Sequence, residues 1–586
     1  MKKRWVLNKA ADFEVVNNLA QALNVDHSIA MLLVQRGIYT YEDAREFFRP
    51  ELSRLHDPYL MKDMDRAVER IGQALQKGEK ILIYGDYDVD GTTAVALVYT
   101  FLRQFSDKID YYIPDRYSEG YGISTRGIDY AADEGFSLVI ALDCGIKATD
   151  KIMYAREKDI DFIIGDHHRP DDTLPPAVAV LDPKRDDCPY PYKELSGCGV
   201  AFKLVQAYCL RHGLPFNQLE KYLDLVVVSI AADIVPITGE NRILAYYGLK
   251  LINSDPRPAF EAILKHCNVT RKVVDEDNPS NFIFTKELSI SDLVFLIGPR
   301  INAAGRIESG RNSVDLLVSD DEMKASQLAG QINEFNTERR NLDLQATQHA
   351  LEIIAADDML KNKKTTVVYN PEWHQGVVGI VASRLTDTYY RPTIVLTKAN
   401  GLITGSARSI KDFDIYDAVD ACSDLLEHFG GHKYAAGLSL KPENLNAFID
   451  KFEDYVSTHI TEEMLMPEIE IDLKINLNDI HPKFYRILSQ FAPFGPGNMK
   501  PVFLTNGLAD TGYARIVGKN HIKMTVAHPE IRSFFYPAIA FQQGDFLPVI
   551  EKGVPFDICY HIEENDWNGN VSLQLNIKDI RINGQR

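Results

Sequence analysis

Three short apolar runs, each closed by an aspartate, constrain this chain more than anything else in it. Ile81-Leu82-Ile83-Tyr84 leads into Gly85-Asp86, Leu138-Val139-Ile140-Ala141-Leu142 into Asp143, and Phe162-Ile163-Ile164 into Gly165-Asp166. None alternates apolar with polar residues, and an amphipathic stretch over residues 67–75 precedes the first. Strands without alternation, separated by helices, belong to a parallel sheet covered on both faces. In such sheets ligands bind beyond the carboxyl ends of the strands, which is where these aspartates stand. The expected fold class is α/β.

A chain of 586 residues is too long for one core, so roughly three or four domains are expected. Residues 1–64 read as short helices: Leu19, Leu23, Ile29 and Val34 fall at helical spacing, and Thr40 precedes Tyr41-Glu42-Asp43 as an N-cap. Residues 65–310 hold the strand-and-aspartate pattern. Over 311–360, Leu328, Ile332, Phe335, Leu342, Leu351 and Ile354 recur near the helical period with no proline between them. That predicts a connecting helix, either unbroken or with one break. Residues 361–462 restart the strand-helix-strand pattern as a second α/β domain. Over 463–586, Ile469, Ile471, Leu473, Ile475 and Leu477 alternate with polar residues, as do Val571, Leu573, Leu575 and Ile577, and Asn568-Gly569 is a hairpin signal. An antiparallel β-barrel of the OB type is expected there.

No apolar run is long enough to cross a bilayer. Asn8, Lys9, Asp12 and Glu14 interrupt any signal-peptide core after the basic start Met1-Lys2-Lys3-Arg4. A cytoplasmic protein with no membrane contact is expected. The seven cysteines include no C-x-x-C pair, which argues against a disulfide framework and a zinc ribbon. The net charge of −19 lowers the expectation of broad duplex binding, while leaving room for a narrow basic groove.

The chemistry concentrates at the strand ends. In an extended chain Asp86, Asp88 and Asp90 would point to one side. Three converging carboxylates stay ionised only beside a compensating cation, and hard divalent metals suit such oxygen ligands. The other readings are an exposed acidic turn, or an N-cap for a helix starting near Thr92. Asp143 taken alone serves equally well as a cap. Asp166-His167-His168 is stronger, because adjacent histidines after a buried strand favour metal. Asp233 follows the apolar run 225–228, which periodicity leaves open between strand and buried helix.

Taken together, Asp86-Tyr87-Asp88-Val89-Asp90-Gly91, Asp143-Cys144-Gly145, Asp166-His167-His168 and Asp233 resemble, in order and in strand-end setting, the motifs of the DHH phosphoesterases. Arg300-Ile301-Asn302-Ala303-Ala304-Gly305-Arg306, Gly405-Ser406-Ala407-Arg408-Ser409 and Phe429-Gly430-Gly431-His432-Lys433 narrow the resemblance to the RecJ-type exonucleases, which carry DHHA1 and OB domains. The resemblance implies two Mn²⁺ or Mg²⁺ ions held by Asp88, Asp90, Asp143, His167 and Asp233, with Asp143 bridging. Asp86 and His168 belong to the same metal and catalytic motifs, either as ligands or as groups orienting one. Asp166 is expected to orient a histidine. By the same resemblance Arg116, Ser406 and Arg408 hold a 5′ phosphate, and Arg300, Asn302, Arg306 and His432 contact the scissile region or the backbone. For any single arginine the alternative is a surface ion pair.

The implied activity is removal of nucleoside 5′-monophosphates from the 5′ end of single-stranded DNA, in recombination and repair. A two-metal hydrolysis needs no covalent intermediate, so no serine or cysteine nucleophile is sought. Tyr513, Phe534, Phe535, Tyr536 and Trp567 are candidate stacking residues in the OB-like region, with core packing as the alternative. The acidic balance leads to the expectation of a helper, such as a single-strand-binding protein or a helicase. Nothing signals an obligate interface, so a monomer is expected. Two rivals remain: a DHH phosphodiesterase for short oligonucleotides or cyclic dinucleotides, and a replication scaffold without catalysis. The OB-like region weighs against the first, and the complete set of motif residues against the second.

Overall fold

The structure is a computed structural model that describes residues 3–274, 282–531, 533–567 and 570–582. The hairpin signal Asn568-Gly569 and the Trp567 side chain lie outside the described residues. The chain forms two compact units, Leu55–Pro467 and Lys3–Arg54 with Glu468–Arg586.

In the larger unit five strands form a wholly parallel sheet, in the order Ile109–Tyr112, Ile81–Gly85, Leu138–Leu142, Asp161–Gly165, Ala179–Leu181. The two central strands are buried at every residue, which is why their sequences do not alternate. Helices Val89–Leu102 and Gly197–His212 pack together beside this sheet. The apolar run 225–228 is helical, within Leu223–Ala232, and every residue from Leu223 to Ala231 is buried. A helix enclosed on all sides carries no amphipathic stripe, so periodicity had nothing to report.

The connector is one unbroken helix, Glu322–Ala356. Its buried face alternates alanines with Ile332 and Ile354 and includes a charge: Asp343 is fully buried and pairs with Arg339 and with Arg384 of the helix Val378–Tyr389. That second helix belongs to a mixed sheet ordered Leu426–His432, Ala435–Leu440, Leu402–Arg408, Thr393–Ala399, Thr366–Tyr369, in which the last pair alone is parallel.

The smaller unit departs from expectation in two ways. Its seven-stranded sheet is mixed: Leu473–Lys474 runs parallel to Phe503–Asp510, and Phe535–Ala540 parallel to Asn570–Ile582. The ladders run from Phe503–Asp510 through Phe556–Trp567, Asn570–Ile582, Phe535–Ala540 and His521–Ala527, then return to Phe503–Asp510. The alternating run from Ile469 to Leu477 also splits at Asp472, whose carboxylate accepts the Val502 N–H. Glu468–Ile471 pairs in parallel with Arg4–Leu7, and only Leu473–Lys474 joins the larger sheet. Thr40 is the expected N-cap, and it forms a capping box with Asp43. The N-terminal helices Phe13–Leu23 and His27–Val34 share one core with the C-terminal strands, built from Val16, Leu19, Ile29 and Leu33 with Phe503, Phe556, Tyr560 and Leu575. Among the described residues no helix is long and apolar enough to cross a membrane.

Candidate metal centre and arginine cavity

The first acidic motif is not extended. The strand Ile81–Gly85 ends, Asp86 and Tyr87 turn, and a helix starts at Val89. Asp88 is the N-cap of that helix and its carboxylate accepts the Gly91 N–H at 3.0 Å, while Asp90 sits inside the first turn. The expected convergence by strand alternation is therefore corrected, and a tight turn into a helix replaces it. The turn is close enough that a Cβ on Gly91 would stand 2.5 Å from the Asp86 carbonyl.

Asp90 is fixed by three donors that the sequence did not reveal: the N–H groups of Gly197 and Cys198 at 2.7 and 2.8 Å, and the Ser229 hydroxyl at 2.6 Å. The first two open the helix Gly197–His212, an end of the helix suited to a carboxylate. Asp143 ends its strand in the left-handed region at φ 58°, a conformation that aspartate tolerates and most residues do not. A side chain at Gly197 would collide with it, since a Cβ there would lie 2.6 Å from the Asp143 carboxylate.

These carboxylates converge on one atom. His167 Nε2 lies 3.2 Å from Asp143 Oδ1, 3.6 Å from Asp90 Oδ2 and 3.6 Å from Asp233 Oδ2. Yet both ring nitrogens of His167, Asp143 Oδ1 and both oxygens of Asp86 are buried with no hydrogen-bond partner. Buried polar atoms without partners are rare and need an explanation. Burial, then the neighbouring carboxylates, push Asp143 well above the usual carboxylate range and Asp233 up to about 8. Asp86 and Asp88 are raised for the same reasons, and burial lowers His167. A divalent cation would satisfy the orphaned oxygens and nitrogens and hold the acids ionised, so this donor set fits one. Asp90, His167 and Asp233 offer ligand atoms within 4.8 Å of one another, as do Asp143, His167 and His168.

Asp166 is committed elsewhere. Its Oδ1 accepts the N–H groups of His167 and His168 at 2.7 and 3.1 Å and meets His168 Nδ1 at 2.8 Å, while Oδ2 accepts the Ile146 N–H at 2.9 Å. Burial alone would raise it, but the His168 contact and the main-chain donors bring it down to about 2. Burial works against His168 as a cation, and Asp166 outweighs it, raising His168 to about 9. The Tyr121 hydroxyl stands 3.3 Å from both His168 Nε2 and the Asp143 carbonyl.

Tyr121 also lines a second feature, a cavity of about 670 Å³ bounded by Tyr87, Arg116, Arg306, Gly379, Ser406 and Arg408. Three guanidinium groups face it, and none forms an ion pair with a carboxylate among the described residues. The surface ion pair thus fails as a reading of Arg116, Arg306 and Arg408. Burial, then the charges of Arg116, Arg339 and Arg408, bring Arg306 down to about 10, and burial and Arg116 lower Arg408. Arg408 Nη1 donates to Ser406 Oγ and to the Ala407 carbonyl, both at 2.7 Å. The two walls are tied by a seam in which the Tyr117 hydroxyl donates to the Arg306 carbonyl and Arg306 Nη1 donates to the Gly376 carbonyl at 3.0 Å. Half-buried like charges with hydrogen-bonding capacity to spare suit an anion.

Three expected residues stand apart from this cavity. Arg300 donates to Asn333 Oδ1 at 3.2 Å and to the Leu296 carbonyl at 2.7 Å, so it faces the connecting helix. Asn302 accepts the Val89 N–H at 3.1 Å and so steadies the helix that carries Asp90. His432 is exposed and accepts the Tyr434 N–H at 3.3 Å. Gly197, Ser229, Tyr121 and Gly376 went unnoticed in the sequence. Only Ser196 before Gly197, a helix N-cap, left a readable mark.

The chain matches the model of the DHH family, N-terminal domain, over residues 80–230, of the DHHA1 domain over 362–458 and of the RecJ OB domain over 471–579. The single-stranded-DNA-specific exonuclease RecJ of Bacillus subtilis is 36% identical over 584 residues, covering 99% of this chain and 71% of that protein. That of Haemophilus influenzae is 33% identical over 546 residues, covering 89% and 91%. The crystal structure of RecJ in complex with Mn²⁺ from Thermus thermophilus superposes with a TM-score of 0.82 at 27% identity, over 99% of this chain and 79% of the other.

Proposed function

This chain belongs to the RecJ family of single-stranded-DNA-specific exonucleases, and on that premise we propose that it hydrolyses single-stranded DNA from the 5′ end, releasing nucleoside 5′-monophosphates, in DNA recombination and repair. The supporting observation is the adjacency of two opposite charge clusters, with Tyr121 touching the acidic one and lining the basic one. A terminal phosphate in the arginine cavity brings the next phosphodiester towards the acids.

Asp88, Asp90, Asp143, His167 and Asp233 would hold two Mn²⁺ or Mg²⁺ ions, with Asp86 beside them. Such ions supply a hydroxide at neutral pH and offset charge developing on the phosphoryl oxygens. The Gly197, Cys198 and Ser229 donors keep Asp90 in one orientation. Asp166 fixes the main chain of His167 and orients the His168 ring through Nδ1, so that Nε2 faces the Tyr121 hydroxyl. Arg116, Arg306, Arg408 and Ser406 bind the 5′ phosphate by charge-assisted hydrogen bonds. Asn302 acts through the helix Val89–Leu102, whose first N–H it accepts. Arg300 and His432 are assigned contact with the scissile region or the DNA backbone, and His432 feels the charges of both Arg408 and His168.

Single-stranded DNA is the partner this chemistry requires. The acidic balance favours delivery by a single-strand-binding protein or a helicase, and equal turnover on naked and coated strands at matched salt would count against that. We assign the protein to the cytoplasm and treat it as a monomer. Tyr513, Phe534 and Phe535 are exposed and remain stacking candidates, whereas the Tyr536 hydroxyl is engaged by the Ile480 carbonyl.

The test uses end-labelled single-stranded and blunt duplex DNA with Mn²⁺, comparing wild type with Asp143→Ala. The expected result is mononucleotides from the 5′ end of the single strand alone, lost in the variant. Hydrolysis of dinucleotides without release from either DNA would overturn the substrate and leave the metal site standing.

A further inference from the structure

The helix Leu223–Ala232 delivers Asp233 as its C-cap, and the next residue, Ile234, adopts the left-handed conformation at φ 59°. Helices normally place glycine or asparagine there, because a Cβ crowds the main-chain carbonyl and a β-branched side chain crowds it most. Elsewhere in this chain Asn24, Gly78 and Gly213 end helices in that conformation, at φ 52°, 66° and 64°. Tyr390, at φ 48°, is an exception with a visible reason, since it packs against the core of the second α/β domain. Ile234 has no such reason. It is 63% exposed.

A strained backbone and an exposed large apolar side chain thus fall on one residue, directly after a carboxylate that lies 3.6 Å from His167. Strain of this kind gathers at functional sites, where something other than stability selects the side chain. Ile234 is absent from the lining of the arginine cavity. If the terminal nucleotide spans from that cavity to the acidic cluster, a side chain on the cluster but outside the cavity meets the following nucleotide. There the acids offer DNA no attraction of their own, and apolar contact with sugar and base is independent of sequence.

We infer that Ile234 is a substrate-contact residue whose side chain packs against the nucleotide on the 3′ side of the scissile phosphate. This rests on the 5′-end reading proposed above.

The experiment is a double-mutant cycle between residue and base. Release of the first nucleotide is timed on 5′-phosphorylated single strands carrying either a normal base or an abasic site at the second position, with wild type and with Ile234→Asn. Asparagine accepts the left-handed conformation, so the backbone is kept while the apolar surface is lost. Wild type should slow by roughly five- to thirty-fold on the abasic strand, the worth of one buried apolar contact. Ile234→Asn should show a similar loss on the normal strand and no further loss on the abasic one, with unchanged Mn²⁺ affinity and a higher Tm. Additive losses, or weaker Mn²⁺ binding in the variant, would overturn the contact and make Ile234 a support for Asp233. Wild type that releases no 5′ nucleotide from either strand would overturn the 5′-end reading, and the contact with it.

Discussion

The acidic cluster and the arginine cavity of the larger unit pose the same problem with opposite sign. Each gathers like charges at close quarters, half-buried in the cavity and mostly buried in the cluster, and Tyr121 stands at both. They differ in how they can relieve themselves. Carboxylates can take up protons, and Asp233 does so below about 8. Guanidinium groups cannot: Arg306, even brought down to about 10, remains a cation at neutral pH. The metal centre can therefore wait for its cation in a protonated form, whereas the cavity holds its charge until an anion arrives. Proton activity should govern loading of the first site and leave the second almost untouched.

The harshest challenge to that contrast is Asp143→Ala. Losing the carboxylate that faces His167 Nε2 should lower kcat by roughly a thousandfold or more, while anisotropy shows unchanged binding of 5′-phosphorylated DNA. An equal fall in binding would mean that the two sites are not separable. Arg408→Ala should do the reverse. The loss of charge-assisted bonds lowers kcat/KM on 5′-phosphorylated strands by roughly ten- to a hundredfold, and leaves 5′-hydroxyl strands near their wild-type rate.

Proton dependence sharpens the comparison further. The raised carboxylates are protonated below their pKa, so a cation must displace those protons. Mn²⁺ affinity should then rise by roughly tenfold per pH unit for each proton displaced, levelling off above about 8. Calorimetry in buffers of different ionisation enthalpy would count the protons released, and a count of zero would contradict the raised acids. The mildest expected effect belongs to the seam. Tyr117→Phe removes its hydrogen bond to the Arg306 carbonyl and should raise KM for 5′-phosphorylated DNA by roughly two- to tenfold, with kcat little changed.

What could be read beforehand follows from how each feature is encoded. The parallel sheet was legible because strands buried on both faces cannot alternate. Asp90, Asp143, His167 and Asp233 were legible because side-chain chemistry carried by a motif survives in the letters. The geometry of the first motif was not: Asp88 both caps a helix and belongs to the acidic cluster, and a reading based on strand alternation had no place for that combination. The donors that hold Asp90 were hidden because two of them are main-chain N–H groups, which every residue but proline possesses. Arg300 shows the converse, since a motif names a residue without saying where its side chain turns. The mixed pairing of the smaller unit escaped because alternation reports which face is buried and says nothing of strand direction.

The core shared by the first helices and the last strands sets a timetable for synthesis. Its N-terminal contributors end at Ala44 and its C-terminal ones begin at Ile475, about 430 residues later. At roughly 5–20 residues per second, a ribosome needs about 20–90 s to cover that interval. Throughout it Leu19, Ile29, Leu32 and Leu33 have left the exit tunnel without the strands that bury them. The larger unit, encoded between the two halves, can complete its own packing in the meantime. These early helices thus find their place only after the larger unit has been made, and the nascent chain carries an apolar surface for chaperones to shield until the strands beyond Ile475 emerge.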